Sequence, residues 1–146
     1  MKADFNYADF PATFAHCFNE QCRRCDSCLR HQMALRVPKE RAGLYIINPG
    51  YLESLSGETC RFFLLDQPQR FAIGITGLFD DLPVRKANII KGQIMSYMGR
   101  SNFYRCKRKE RMVKPKEQAY IKKLFLRQDI EDEPKYDEYR EYYDLG

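Results

Sequence analysis

The stretch CFNEQCRRCDSCLRH runs from Cys17 to His31 and contains four of the chain's six cysteines. These four stand at positions 17, 22, 25 and 28, and the other two are Cys60 and Cys106. Thiolates are the ligands of structural zinc sites and of iron–sulfur clusters, and short spacings let one loop wrap around the metal. Because the neighbouring side chains are Arg, Asp, Asn and Gln rather than apolar ones, the stretch predicts a metal site rather than core packing.

Three ligand sets fit these spacings. A closed zinc site with one distant ligand uses Cys17, Cys22, Cys28 and Cys60. The C-x4-C-x2-C spacing of plant-type 2Fe–2S ferredoxins is met by Cys17, Cys22 and Cys25 with Cys60 as the remote ligand. A bacterial 4Fe–4S motif begins at Cys22, Cys25 and Cys28, but residue 32 is Gln and its fourth cysteine is missing. His31 and His16 are further candidate zinc ligands beside the cluster.

Length and composition favour an ordinary folded domain. The chain has 146 residues, of which 44% are hydrophobic, enough for one domain with a real core. No apolar run follows Lys2, and no stretch approaches the roughly 20 apolar residues of a membrane helix. We therefore expect a cytoplasmic protein whose thiols stay reduced rather than paired in disulfides.

Charge is sorted along the chain into a basic block, residues 100–127, and an acidic tail, residues 128–146. The basic block contains 11 Lys and Arg against 2 Asp and Glu, and the tail contains 2 against 8. Such a block is typical of a phosphate-binding surface, on which Phe103 and Tyr104 would stack on bases. The predicted DNA or RNA contacts are Arg100, Arg105, Lys107, Arg108, Lys109, Arg111, Lys114 and Lys116. The alternative is that the tail folds back and neutralises them.

Periodicity predicts a single α+β domain over residues 1–146. Residues 1–65 would carry the cysteine cluster and a small two- or three-stranded sheet, with strands at AGLYIINP (42–49) and CRFFLL (60–65). RFAIGITGLF (70–79) fits a strand or a helix face. Residues 80–146 read as mainly helical, with helices from Pro83 to Gly99, over 102–113, from Pro115 to residue 128, and after Pro134.

Catalytic motifs are scarce in the sequence. It contains no Gly-rich phosphate loop, no Gly-x-Ser-x-Gly and no His-Glu-x-x-His, and Cys106 has no base beside it, so a non-enzymatic role is favoured. The leading hypothesis is a zinc-stapled regulatory protein that binds nucleic acid. The alternatives are an iron–sulfur redox or redox-sensing protein, and an interaction module that docks a protein partner through its Tyr-rich acidic tail. No small-molecule substrate is evident.

Several stretches occur together in a familiar order: FAHCFNEQC, YIINP, CRFF, FAIGITGLFDDLP, YMGRSNFYRCKRKERMVKPKEQAYIKKLF and EPKYDEY. Together they cover most of the chain, which resembles a family of uncharacterised small bacterial proteins with an N-terminal cysteine cluster. The resemblance implies that the positions of Cys17, Cys22, Cys28 and Cys60 are regularly Cys, whereas that of Cys25 need not be. It therefore implies a zinc site through those four thiolates and no particular function.

Overall fold

The computed structural model describes residues 6–55 and 60–146, and this part of the chain forms two compact units. Unit 1 comprises the described residues up to Pro68 together with Tyr143–Gly146, and unit 2 is Gln69–Tyr142. Helices and one two-stranded antiparallel sheet make up the described elements, so the predicted α+β class is confirmed. The assignment of residues 1–146 to a single domain stays a prediction.

Unit 1 contains the short helices α1, Leu29–Ala34, and α2, Pro49–Glu53. Helix α2 begins at a proline whose fixed φ suits a first helical turn, and the side chain of Asn48 accepts a hydrogen bond from Gly50 N at 3.0 Å. Single 3₁₀ turns occur at Tyr7–Asp9 and Cys25–Ser27. The small core of this unit consists of Phe14, Leu29, Met33 and Tyr143, with Tyr7, Phe10, Leu64 and Leu145 packed around it.

The strands predicted at residues 42–49 and 60–65 are wrong. Each segment forms only an isolated bridge, Ile46 to His16 and Leu65 to Cys28, because each pairs with an irregular loop instead of another extended segment. The first bridge uses two backbone hydrogen bonds to His16, of 2.8 and 2.9 Å. In consequence the backbone next to Cys17 and the backbone at Cys28 are both held by neighbouring segments of unit 1.

Unit 2 consists of strand β1 (Gln69–Ile73), helices α3 (Val84–Met98), α4 (Arg100–Lys107) and α5 (Pro115–Arg127), and strand β2 (Glu138–Tyr142). Helix α3 packs against α4 and α5, and α5 packs against β1. The three helices and β1 enclose the larger core, which is formed by Ala72, Ile75, Leu78, Ile90, Ile94, Phe103, Cys106, Val113, Ile121, Leu124 and Phe125.

Two helix predictions are confirmed and one is too long. Helices α3 and α5 lie where periodicity places them, and Gly99 ends α3 with a φ of +89°, a conformation that favours glycine. Helix α4 ends at Lys107, short of the expected residue 113. The backbone reverses at Lys109 (φ +62°), and Val113 exchanges two backbone hydrogen bonds with Ala72 of β1, which pulls that segment out of the helix.

The helix predicted after Pro134 is wrong, because this segment contains strand β2. It pairs antiparallel with β1 in a register that runs from Gln69 opposite Tyr142 to Ile73 opposite Glu138. Pairing with a distant strand overrides the local spacing of the tyrosines, which favours a helix. Within the described residues, no helix combines the length and the apolar character needed to cross a bilayer.

Candidate metal centre and nucleic-acid interface

The clustered cysteines of unit 1 share one cavity of about 600 Å³. All six cysteines of the chain are free thiols, and only Cys106 lies outside this unit. Guanidinium groups and aromatic rings form much of the remaining wall. The titratable side chains that line the cavity include Cys17, Cys22, Cys25, Cys28, Cys60, His31, Arg23, Arg24 and Arg30.

Cys17 and Cys25 differ in the charged groups that influence them most. Burial raises the pKa of Cys17, and the charges of Cys28, Cys60 and Cys22 raise it further. The Cys25 thiol instead faces Asp26, with 3.8 Å from Sγ to Oδ1. The pKa of Cys25 is raised first by desolvation, then by the Asp26 carboxylate, and also by Cys22. We refer to Cys17 and the three thiols that raise its pKa as the grouped thiols; Cys25 lines the same cavity but its thiol hydrogen-bonds to Asp26.

The four grouped thiols share a cavity without converging on one point. Within residues 6–55 and 60–146, no three His, Cys, Asp or Glu side chains are arranged to hold a metal ion. A tetrahedral site therefore requires the sulfur atoms to draw together. The donor chemistry fits zinc, because four thiolates form a closed structural centre. The backbone N–H of Arg24 already donates to Sγ of Cys22 at 3.4 Å, as outer-shell donors do for metal thiolates.

Arg30 joins the segments that carry the grouped thiols. Its Nε–H donates to the carbonyl of Phe62 at 2.8 Å and its Nη1–H to the carbonyl of Ala15 at 3.0 Å. Its own carbonyl accepts from the backbone N–H of Cys17 at 3.2 Å. Burial lowers the pKa of Arg30, and the charges of three cysteines oppose that shift. Arg30 has no carboxylate ion pair in the described part of unit 1, so its positive charge is available to offset negative charge that the thiols acquire on binding a metal.

The two histidines differ in whether a ring nitrogen is available to bind a metal. Nδ1 of His31 donates to the carbonyl of Cys17 at 3.0 Å, which leaves Nε2 as the nitrogen with a lone pair on a side chain that lines the cavity. Nδ1 of His16 donates to the carbonyl of Tyr45 and Nε2 accepts from the hydroxyl of Tyr7, so both nitrogens are engaged. His16 is also absent from the cavity wall, and burial lowers its pKa.

The eight predicted phosphate contacts of unit 2 fall into three sets. Three have carboxylate partners: Arg108 with Glu110 (3.0 Å), Arg111 with Glu117 (3.1 Å) and Lys109 with Glu138 (3.9 Å). Lys114 is half-buried at the start of α5. The remaining four are exposed and have no ion pair within the described part of unit 2: Arg100, Arg105, Lys107 and Lys116.

The acidic tail neutralises only part of the basic block. Glu138 lies beside Lys109, and Glu133 forms an ion pair with Lys122. Asp137 bonds to the turn after β1 rather than to a helix. The tail therefore folds back on the basic block in part, as one interpretation of the sequence predicted. Its described contacts still leave Arg100, Arg105 and Lys107 of α4 without a carboxylate partner.

A protein-family model matches residues 1–145, nearly the whole chain, and its description reads "Family of unknown function (DUF6078)". The chain belongs to the DUF6078 family. This match confirms the resemblance to an uncharacterised family, and the family assigns no activity to the sites described above. In the comparison with curated proteins and with solved structures, nothing matches.

The sequence did not identify several side chains that the fold of this DUF6078 chain places in or beside the candidate sites. Arg30 donates hydrogen bonds to carbonyls of two segments that are distant in sequence. No pattern of neighbouring residues predicts such contacts. Tyr97 and Tyr120 stand on different helices yet stack on each other. Lys123 and Arg127 continue the exposed side of α5 beyond Lys116, and their helical spacing was a signal that could have identified them.

Proposed function

We propose that the protein is a non-enzymatic, cytoplasmic nucleic-acid-binding regulator. Unit 2 would contact phosphates through its cationic surface, and zinc would staple unit 1. One observation carries the proposal: cations of α4 and α5 are exposed without a carboxylate partner in the described part of unit 2. The two carboxylates of the basic block, Glu110 and Glu117, are already paired with Arg108 and Arg111.

Exposed cations without partners favour a polyanion for a physical reason. A phosphate chain that contacts them releases condensed counterions, and this entropy gain drives association without any need for base-specific contacts. Cations already paired with carboxylates gain less, because the existing ion pair must first be broken. The proposal therefore ranks the predicted contacts, with Arg105 and Lys107 ahead of Arg108.

The test compares two changes with opposite expectations. The double variant Arg105→Gln/Lys107→Gln should weaken binding to DNA and RNA and make the salt dependence shallower, by about 0.9 per lost duplex phosphate contact. The matched control Arg108→Gln removes a cation whose guanidinium is held by Glu110, and it should weaken binding much less. Equal losses, or no binding by the parent protein at low salt, would contradict the proposal.

In unit 1 the proposed zinc ligands are Cys17, Cys22, Cys28 and Cys60. Support comes from their shared cavity, from the influence of the other three thiols on Cys17, and from the contact of Cys25 with Asp26. When bound, zinc would supply a covalent-like cross-link between loops and no catalysis, because a closed four-thiolate centre leaves no open coordination position. The positive charge of Arg30 beside these thiols would offset the net negative charge of such a centre.

Metal content and the visible spectrum of protein purified without oxygen test the zinc site. A colourless sample with zinc is expected, and Cys25→Ser should retain it whereas Cys60→Ser should lose it. Cys25→Ser is the matched control because it removes a thiol from the same cavity wall. A brown sample with iron and acid-labile sulfide, or equal loss in both variants, would overturn the ligand assignment.

A further inference from the structure

An aromatic pair bridges two helices of unit 2. The ring centroids of Tyr97, on α3, and Tyr120, on α5, are 4.0 Å apart with an interplanar angle of 19°. Tyr97 is 44% exposed, so part of its side chain is accessible to solvent. Both rings project from helices that pack against each other, and their positions are therefore set by the core of unit 2.

Cations flank Tyr120 along α5 at helical spacing. Lys116, Tyr120, Lys123 and Arg127 follow the i, i+4, i+7, i+11 spacing of one helix side, and we name this set the α5 stripe. The buried side of α5 is formed by Glu117, Ile121, Leu124 and Phe125. The three cations of the α5 stripe are exposed, and no carboxylate pairs with them among the described residues of unit 2.

We propose that the α5 stripe and Tyr97 form a binding surface for single-stranded nucleic acid, with an unpaired base stacked on the tyrosine pair. The inference rests on the proposed function and specifies its substrate class. Charge complementarity places phosphates along Lys116, Lys123 and Arg127. The tyrosine ring among the cations favours a single strand over a duplex. Only an unpaired base offers a π-face that can stack on the ring.

A purely structural role for the tyrosines makes a different prediction. The stack would then only fasten α3 to α5, and removing a ring would lower the free energy of unfolding without changing the affinity of the folded protein. Phe in place of Tyr97 keeps the ring and is expected to preserve both packing and base stacking. The pair of variants Tyr97→Ala and Tyr97→Phe therefore separates loss of the π-face from loss of the hydroxyl.

The experiment titrates the full chain into a labelled thymidine homopolymer and, separately, into a DNA duplex, by fluorescence anisotropy. Tyr97→Ala should weaken single-strand binding by about tenfold, while Tyr97→Phe binds like the parent. Tyr139→Ala is the matched control, since Tyr139 lies on β2 with a similar exposure of 42%. The thermal midpoint of each variant shows that the folded protein is being compared.

The salt dependence of the same titrations tests the phosphate contacts separately. Lys123→Gln should reduce the slope of log K against log salt by about 0.7, the value per contact for single strands. Lys39→Gln, which removes an exposed lysine of unit 1, should leave the slope unchanged. Tyr97→Ala should lower the affinity at every salt concentration with little change in slope.

The outcomes distinguish this inference from the proposed function. If the parent binds duplex at least as tightly as the single strand, and Tyr97→Ala binds both like the parent, the inference is wrong and the proposed function survives. If the parent binds neither nucleic acid at low salt, both are wrong. Preference for the single strand together with the loss in Tyr97→Ala supports the inference.

Discussion

The hydroxyl of Thr76 donates a 2.7 Å hydrogen bond to Oδ1 of Asp137, which joins the turn after β1 to the residue that precedes β2. Oδ2 of the same carboxylate accepts from Thr76 N at 3.3 Å, and Asp137 N donates to the carbonyl of Gly74 at 3.1 Å. An acidic residue of the tail thus closes a turn of unit 2 by hydrogen bonding.

This contact makes part of the stability dependent on pH. The hydrogen bond from the Thr76 hydroxyl, followed by those from backbone N–H groups and by the charge of Lys109, lowers the pKa of Asp137 below its ordinary 3.8. A lowered pKa adds stability that is complete above the unfolded-state value and is lost as the pH falls through the folded-state value. We expect Asp137→Asn to be less stable at pH 7 and to lose less on acidification below about pH 4.

Thermal midpoints measured between pH 7 and pH 3 check this expectation. Glu131→Gln is the control, because Glu131 is an exposed acid of the same tail. If the midpoints of Asp137→Asn and the parent fall in parallel with pH, the role given to Asp137 is wrong.

Two glycines of unit 2 should respond to alanine with opposite signs. A Cβ on Gly74, whose φ is +81°, would lie 2.2 Å from Oδ2 of Asp137, so Gly74→Ala should destabilise by about 2 kcal/mol or more. Gly92 lies within α3 and a Cβ there would meet nothing within 4 Å. Gly92→Ala should therefore stabilise by about 0.5–1 kcal/mol through helix propensity. Denaturant unfolding measures both, and the same sign for the two would contradict this account.

Glu117 is a buried carboxylate that serves two partners. Its Oε1 accepts from the backbone N–H of Lys114 at the start of α5, and both oxygens lie 3.1 Å from Nη1 of Arg111. Glu117→Ala leaves these donors without an acceptor and should cost about 3 kcal/mol of unfolding free energy. Glu110→Ala removes only an exposed partner of Arg108 and should cause no measurable change. Similar losses in the two variants would show that burial does not matter here.

Arg30 should control how well unit 1 binds zinc. Arg30→Gln loses the donors that hold the carbonyls of Ala15 and Phe62 and removes the charge beside the thiols, so zinc affinity should fall about tenfold. Arg30→Lys keeps the charge alone and should recover part of the loss. Competition with a chelator gives the affinities, and the thiolate-to-cobalt absorption of Co²⁺-loaded protein reports whether the ligand set is intact. Arg36→Gln is the control, since the guanidinium of Arg36 donates only to Gln32 within the described residues. An affinity for Arg30→Gln equal to that of the parent would contradict the role.

Local sequence signals predicted two helices of unit 2, α3 and α5, close to their observed bounds. The apolar spacing that includes Ile90 and Ile94, followed by Gly99, located α3 because helix periodicity and a glycine stop are properties of adjacent residues. Strand β2 could not be predicted in the same way. Its partner β1 is separated from it by three helices of this unit, and the three-residue spacing of the tyrosines at 136, 139 and 142 favours a helix.

The sequence predicted which residues belong to each candidate site, but not which contacts those residues make. Cysteine spacing identified the thiols, whereas the orientation of Cys25 towards Asp26 depends on the 3₁₀ turn that carries both residues. Counting charges identified the basic block, but it could not show that Arg111 forms an ion pair with the buried Glu117. The stacked pair of Tyr97 and Tyr120 depends on how α3 packs against α5, which no single segment encodes.

A salt titration of nucleic-acid affinity for the unmodified protein is the decisive experiment. We expect binding at low salt whose log K falls linearly with log salt, with a slope that corresponds to several phosphate contacts. We also expect tighter binding to the thymidine homopolymer than to the duplex. No detectable binding to either at low salt, or an affinity that does not change with salt, would contradict the claim that the cations of unit 2 form a nucleic-acid interface.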